Sequence, residues 1–151
     1  MLLHSHLART GPLDRPWEAE HPRLPHTNPL HDRFLAWFMA RGGEKYASFL
    51  DSRKRSLFEG MEGVLVELGA GTGPNLRYLP PGLTFVGVEP NQFMHRHFID
   101  EASRQDRAAH LVQGFAEALP FRDESVDVVV STLVLCSVRH LAEVLSEVLR
   151  V

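Results

Sequence analysis

The stretch that most constrains this chain is an apolar, β-branched run that opens directly into glycines at alternate positions. The run covers residues 64–68, and the glycines are Gly69, Gly71 and Gly73. Such a run is typical of a buried strand. Glycine has no Cβ and adopts positive φ, so the loop can turn tightly and its backbone can approach a ligand closely. The stretch therefore predicts a nucleotide-like cofactor site at the carboxyl end of a buried strand.

Strand-like and helix-like segments alternate after this point. The predicted strands span residues 64–68, 84–89, 109–113 and 126–131, and predicted helices follow the glycine loop, cover residues 92–104 and begin near residue 139. Pro74 suits the first turn of the helix after the loop, and the N–H groups of that helix are expected to point at the cofactor site. This alternation predicts an α/β fold with a Rossmann-like, doubly wound parallel sheet.

Two helices are predicted upstream of the sheet. The first runs from residue 31 to the pair Gly42 and Gly43, and the second covers residues 44–58. Arg53, Lys54 and Arg55 fall near the end of the second helix, where the helix dipole favours cations. We interpret this basic cluster as a solvated helix end rather than an anion site.

Residues 1–30 differ in composition from the rest and predict a disordered arm, followed by one cofactor-binding domain over residues 31–151. The arm is rich in proline and histidine, and its histidine spacing matches no metal-ligand pattern. The formal net charge of −3 gives no basic field for nucleic acid. No apolar run is long enough to span a membrane, and no signal-peptide core follows Met1, so we expect a cytoplasmic protein. The single cysteine, Cys136, is expected to be a small buried side chain.

The last predicted helix reaches Val151 without a C-cap signal, and the valine-rich fourth strand would lie at a sheet edge. We therefore expect a sheet truncated after the fourth strand and its helix.

The candidate site residues all follow predicted strands. Glu89 ends the second strand, 22 residues after Glu67, where a carboxylate can accept hydrogen bonds from both hydroxyls of a ribose. Pro90 and Asn91 complete that turn. The residues after the third strand, Gly114, Ala116 and Glu117, are small or polar and could border an adenine ring. The residues at the end of the fourth strand, Ser131, Thr132 and Leu133, could border the reacting group.

Two other cofactor patterns fail here. The nicotinamide fingerprint needs a small residue at the position that Pro74 occupies, and the phosphate-binding Walker pattern needs Gly-Lys-Ser or Gly-Lys-Thr, which is absent.

The motifs resemble those of class I S-adenosylmethionine-dependent methyltransferases of the type 11 group. Residues 67–73 are similar to the first motif of that family, 87–91 to the second, and 114–121 and 125–131 to the third and fourth. Residues 132–138 resemble more narrowly the methyltransferase-like 7 branch, which is associated with thiol methylation. The resemblance covers roughly residues 45–151.

This resemblance implies S-adenosylmethionine as the cofactor and a class I methyltransferase sheet. It implies that Glu67, Gly69, Ala70, Gly71 and Gly73 form the first motif, whose glycines and Ala70 hold the methionine part. Glu89 would bind the ribose, Ala116 and Glu117 would flank adenine, and residues 131–133 would lie near the sulfonium. Family members continue into three further strands, and animal members of the branch carry an apolar N-terminus that this chain replaces with its His/Pro arm.

The leading hypothesis is therefore a methyltransferase acting on a small molecule, with a thiol, lipid or quinone-like acceptor. The alternative is a non-catalytic fragment that retains the cofactor half-site or serves as a binding module; a nicotinamide-dependent oxidoreductase is disfavoured by Pro74. A base is needed only if the acceptor must lose a proton. His95 and His140 are candidates by chemistry alone, and the sequence assigns no catalytic residue.

Overall fold

The structure, a computed structural model, describes residues 28–151, with the backbone alone for residues 40–49. The predicted arm therefore lies outside the described residues as far as residue 27, and Pro29 already begins a helix.

Four parallel strands form one sheet in the order β3–β2–β1–β4. The strands are β1 (Val64–Leu68), β2 (Thr84–Val88), β3 (Ala109–Val112) and β4 (Val128–Ser131). Their last residues are paired across the sheet, so the carboxyl ends form one level edge. Strands β2 and β3 lie on one side of β1, and β4 lies on the other. Strand order therefore reverses between β1 and β4, and sheets of this kind bind ligands beyond the carboxyl ends of the strands at that point. The predicted doubly wound parallel sheet is confirmed.

Three α-helices and one short 3₁₀ helix surround the described sheet. They are α1 (Pro29–Phe58), α2 (Gln92–Arg104), α3 (Leu141–Arg150) and the 3₁₀ helix (Leu76–Tyr78). The side chain of Asn28 caps α1 by accepting hydrogen bonds from the backbone N–H groups of Leu30 and His31. Asn91 caps α2 in the same way through Phe93. No helix in the described part of the chain has the length and apolar character to cross a membrane.

The helix prediction upstream of the sheet is wrong in one respect, because α1 is a single helix of 30 residues that continues through Gly42 and Gly43. Glycine weakens a helix by about 1 kcal/mol relative to alanine but, unlike proline, removes no backbone donor. The rest of α1 is long enough for the helix to continue through both positions.

The helix after the glycine loop is also corrected. Pro74 precedes the cap residue Asn75, and only the single 3₁₀ turn Leu76–Tyr78 follows. Pro80 disfavours helical geometry just before it, so one turn is all the chain can form. No α-helix therefore follows the glycine loop, so the loop itself leads into no α-helix N-terminus.

Strand β4 begins two residues later than predicted, because the backbone N–H of Val126 donates to the carbonyl oxygen of Val151 instead of to a strand. Strands β2 and β3 each end one residue earlier than predicted. α3 begins at Leu141 and ends at Arg150.

Successive side chains along the strands point to opposite faces of the sheet, and both faces are buried. Leu65 and Phe85 pack with Phe58 and Phe98 on the face covered by α1 and α2. Val66 and its neighbours pack with Val144 of α3 on the other face. Burying each such side chain contributes about 1.5–3 kcal/mol, which holds the carboxyl edge of the sheet in a fixed position.

Candidate functional site

The glycine loop after β1 is fastened to β2 by its backbone. The N–H groups of Gly69 and Ala70 both donate to the carbonyl oxygen of Val88, at 2.9 and 3.2 Å. Gly69 has a φ of +63°, and a Cβ there would collide with the side chain of Val134. Gly71 has a φ of +55°, but a Cβ there would have only ordinary contacts, 3.8 Å from Met94 Sδ. Gly69 is therefore required for packing, whereas Gly71 lines the cavity and has room for a Cβ.

A cavity of about 620 Å³ lies at the carboxyl edge of the sheet. This volume is within the range usual for small-molecule sites. The cavity is lined by most of the residues that the sequence predicts: Glu67, Gly69, Ala70, Gly71, Glu89, Pro90, Asn91, Gly114, Ala116, Glu117, Thr132 and Leu133.

Gly73 and Ser131 are not among the residues that line the cavity. A Cβ on Gly73 would lie 2.7 Å from Leu76 Cδ1 and close to Phe98, so this glycine permits packing beneath the loop. The Ser131 hydroxyl is buried without a partner among the described residues.

Glu89 is a buried carboxylate that holds the glycine loop. Its Oε2 accepts from the N–H of Gly71 at 2.9 Å, and its Oε1 accepts from the N–H of Asn91 at 2.8 Å. Burial raises the pKa of Glu89, and the two backbone donors oppose that effect. A carboxylate has about four acceptor positions, so both oxygens can still accept from a ligand hydroxyl.

Asn91 connects the site to α1. Its Nδ2 donates to the carbonyl oxygen of Asp32 at 2.9 Å while its Oδ1 caps α2. Gln113 Nε2 donates to the carbonyl oxygen of Pro90 at 3.2 Å. These bonds hold the second-motif turn between α1 and β3.

Glu67 lies at the centre of a buried polar network. Its Oε1 accepts from Asn75 Nδ2 and from the Thr132 hydroxyl, the latter at 3.1 Å, whereas its Oε2 is buried with no partner among the described residues. Burial raises the pKa of Glu67 to about 7, against the opposing effects of Asn75, Thr132 and the charge of Lys54. An unpaired buried carboxylate oxygen beside a cavity is an acceptor suited to a cationic ligand group.

Lys54 is a site residue that the sequence interpretation missed. Its Nζ donates to Asn75 Oδ1 at 2.7 Å and lies 5.9 Å from the centre of the Tyr78 ring, and the side chain lines the cavity. Burial lowers the pKa of Lys54, and the charge of Glu67 opposes this. The predicted solvated cluster is therefore wrong for Lys54, since a helix-dipole argument gives no information on which side chain faces inward.

The segment after β3 borders the opposite wall of the cavity. Glu117 Oε1 accepts from the N–H of Arg139 at 2.8 Å, which fastens this segment to the approach to α3. Leu133 has a φ of +61°, a backbone conformation that is uncommon for residues other than glycine, and its side chain is largely exposed. The expectation of a buried Cys136 is wrong: this side chain is exposed, in the turn that follows Leu133.

Of the histidines considered for catalysis, neither His95 nor His140 is among the residues lining the cavity. His95 Nε2 lies 3.0 Å from the carbonyl oxygen of Glu89, and His140 immediately precedes α3.

His31 of α1 does line the cavity, and its Nδ1 lies 3.4 Å from Asp32 Oδ1. Leu35 and Met39 follow His31 at intervals of four residues on the same face of α1 and line the cavity too. An α1 face with one histidine and two apolar side chains thus borders the site.

Known proteins resemble this chain in sequence and in fold. A family model described as a methyltransferase domain matches residues 66–151. The human protein named thiol S-methyltransferase TMT1B is 34% identical over 135 residues, which cover 82% of this chain and 55% of that protein.

Solved structures share the fold. A Methanococcus maripaludis protein described as an S-adenosylmethionine-dependent methyltransferase matches with a TM-score of 0.66 at 14% identity, over 87% of this chain and 62% of its own. An Aquifex aeolicus protein described as SAM-dependent matches with a TM-score of 0.57 at 16% identity, over 83% of this chain and 67% of its own. The chain spans about half the length of the curated relatives it matches.

Proposed function

The chain belongs to the methyltransferase-domain family, and on that premise we propose that it binds S-adenosylmethionine in the cavity and transfers a methyl group to a small-molecule thiol. The observation that carries this proposal is Glu89, a buried carboxylate at the end of β2 that accepts from the glycine loop and faces the cavity.

The described residues suit this cofactor chemically. Glu89 has free acceptor positions for two ribose hydroxyls. The unpartnered Glu67 Oε2 suits the α-ammonium of the methionine part, and Gly71 lines the cavity without a side chain, so a ligand can approach the backbone there. Ala116 and Glu117 would border adenine, with Thr132 and Leu133 near the sulfonium.

S-adenosylmethionine, when bound, supplies a methyl group on a positively charged sulfur that leaves readily by in-line displacement. The chain itself supplies proximity and alignment. Its fixed carboxyl edge and the loop anchored to Val88 hold the binding groups in one arrangement, so that little ordering remains when the ligand binds.

A thiol acceptor is favoured by the relatives, since TMT1A and TMT1B are named thiol S-methyltransferases. A thiol reacts as its thiolate, so proton removal assists transfer near neutral pH. His31 lies at the cavity beside Asp32, which can orient the imidazole ring, and we assign it as the base. Leu35 and Met39 on the same helix face favour an apolar acceptor.

The test is an acceptor panel with S-adenosylmethionine as the methyl donor. Alkyl thiols, amines and hydroxyl compounds of similar size are incubated with the chain, and methylated products are measured by mass spectrometry. We expect methyl thioethers to dominate. Exclusive methylation of amines or hydroxyls would contradict the acceptor, and absence of any methylated product would favour the non-catalytic alternative. The cytoplasmic location and the lack of a nucleic-acid partner stay predictions.

A further inference from the structure

The start of α1 borders the cavity with little burial of its own side chains. Among residues 28–39 only the side chain of Ala36 is buried. His31, the base in the proposed function, is largely exposed and still lines the cavity. A general base must lie within hydrogen-bonding reach of the proton that it removes. The position of this end of α1 therefore decides whether His31 can act.

Asn91 joins this end of α1 to the end of β2. Its backbone N–H donates to Glu89 Oε1 at 2.8 Å, and its side-chain Nδ2 donates to the carbonyl oxygen of Asp32 at 2.9 Å. Asp32 is the neighbour of His31, with 3.4 Å between its Oδ1 and the histidine Nδ1. One buried residue thus contacts both the carboxylate that ends β2 and the backbone beside the histidine.

The side-chain amide of Asn91 is more than the cap of α2 requires. Its Oδ1 accepts from the N–H of Phe93 at 3.0 Å, which is the capping bond. Serine and aspartate cap helices about as well, but neither has a side-chain N–H donor for a second segment. Arg33 Cζ lies 5.7 Å from the centre of the Phe93 ring, so α1 meets the start of α2 at the same place. The amide donor therefore serves α1 rather than α2.

We propose that Asn91 is a positioning residue for the reaction, which holds His31 at the cavity through the Asp32 carbonyl while its backbone holds Glu89. The role rests on the proposed function, in which Glu89 binds the ribose and His31 removes the thiol proton. The cofactor side and the acceptor side of the cavity then keep a fixed geometry relative to each other. In-line transfer depends on such alignment of the reacting groups.

The test uses Asn91→Ser, which keeps a capping oxygen for α2 and the backbone donor to Glu89 but loses the donor to Asp32. The control Gln105→Ser removes an amide at the other end of α2, where Nε2 donates to Glu101 Oε1 at 2.9 Å. The kcat/KM values for alkyl thiols and for arenethiols, which are already ionised, are measured at saturating S-adenosylmethionine. We expect the ratio of the two values to fall about 3- to 10-fold in Asn91→Ser, as for one lost hydrogen bond, and to stay unchanged in Gln105→Ser.

Native-state amide hydrogen exchange gives a readout that needs no acceptor. Residues 33–39 should exchange about 3- to 10-fold faster in Asn91→Ser than in the wild type, because the start of α1 opens more often. Exchange in α2 should stay unchanged, because its cap is kept. Gln105→Ser should exchange as the wild type does over residues 33–39.

Other outcomes overturn the role of Asn91. An equal loss of kcat/KM for both thiol classes would mean that Asn91 is only structural, and unchanged exchange over residues 33–39 would mean that other contacts hold α1. If the wild-type chain methylates no thiol, the proposed function fails and the role of Asn91 fails with it. If it methylates thiols and the ratio is unchanged in Asn91→Ser, only the role of Asn91 fails. Should Asn91→Ser not fold, Asn91→Thr offers the same capping oxygen and must lower the ratio too.

Discussion

Glu67→Gln gives the sharpest prediction about how the site and the fold depend on one another. The substitution keeps the shape of the side chain, and the amide oxygen can still accept from Asn75 and Thr132. The amide nitrogen takes the position of Oε2, which has no partner among the described residues. The main change is the loss of a buried group that ionises.

The size of the effect follows from the pKa of Glu67. Burial raises this pKa from 4.5 to about 7. Between these pH values the native chain binds a proton that the unfolded chain releases, so wild-type stability falls as the pH rises through this window. At about 1.4 kcal/mol per pKa unit, the ionised buried carboxylate costs about 3 kcal/mol above pH 7. Glu67→Gln does not have this cost.

The assay is thermal or urea unfolding of both proteins at pH 4.5 and pH 8. We expect the stability of Glu67→Gln relative to the wild type to increase by about 3 kcal/mol between these pH values, or about 6–12 °C in Tm. Affinity for S-adenosylmethionine should fall in the variant, because an amide is a poor partner for an ammonium group. A stability difference that does not change with pH would mean that Glu67 is not buried as a neutral acid. Cofactor affinity equal to that of the wild type would mean that the Glu67 carboxylate does not face the ligand's ammonium group.

Two further substitutions test the site with matched controls. Gly71→Ala and Gly82→Ala both place a Cβ at positive φ without a close contact, so each variant should lose about 1–2 kcal/mol of stability. Only Gly71→Ala should weaken S-adenosylmethionine binding. Equal affinities of the two variants in calorimetry would mean that no ligand approaches Gly71. His31→Gln should lower kcat/KM for alkyl thiols by about 100-fold near neutral pH, whereas kcat/KM for arenethiols, which are already ionised, should stay the same. The control His140→Gln should change kcat/KM for neither thiol class. An equal loss for both thiol classes in His31→Gln would exclude His31 as the base.

The strands and α2 could be predicted because their signals are local. The β-branched runs and the Asn91 cap occur within single segments, and α2 has the predicted bounds, Gln92–Arg104. The level carboxyl edge then brings separate motifs together, since parallel strands of similar length end side by side. Most of the predicted cofactor residues accordingly line the cavity.

The residues that sequence reasoning missed depend on tertiary geometry. Lys54 reaches the cavity because the last turns of α1 pack beside the sheet, with Phe58 in the same core cluster as Leu65 and Phe85. His31 faces the cavity because Asn91 holds the start of α1 through the Asp32 carbonyl. Neither contact has a signal in a single segment. Gly73 was assigned to the ligand because glycine spacing does not distinguish a ligand contact from close packing against Leu76.

Calorimetric titration of S-adenosylmethionine into the wild-type chain and into Glu89→Ala, with NADH as a second ligand, decides whether the cavity is a cofactor site. We predict saturable one-to-one binding of S-adenosylmethionine by the wild type and binding at least about 10-fold weaker in Glu89→Ala, because two ribose hydroxyls lose their charged acceptor. Circular dichroism checks that the variant is folded, since Glu89 also accepts from Gly71 and Asn91. A folded wild-type chain that binds NADH but not S-adenosylmethionine would contradict the account, as would undiminished affinity in Glu89→Ala.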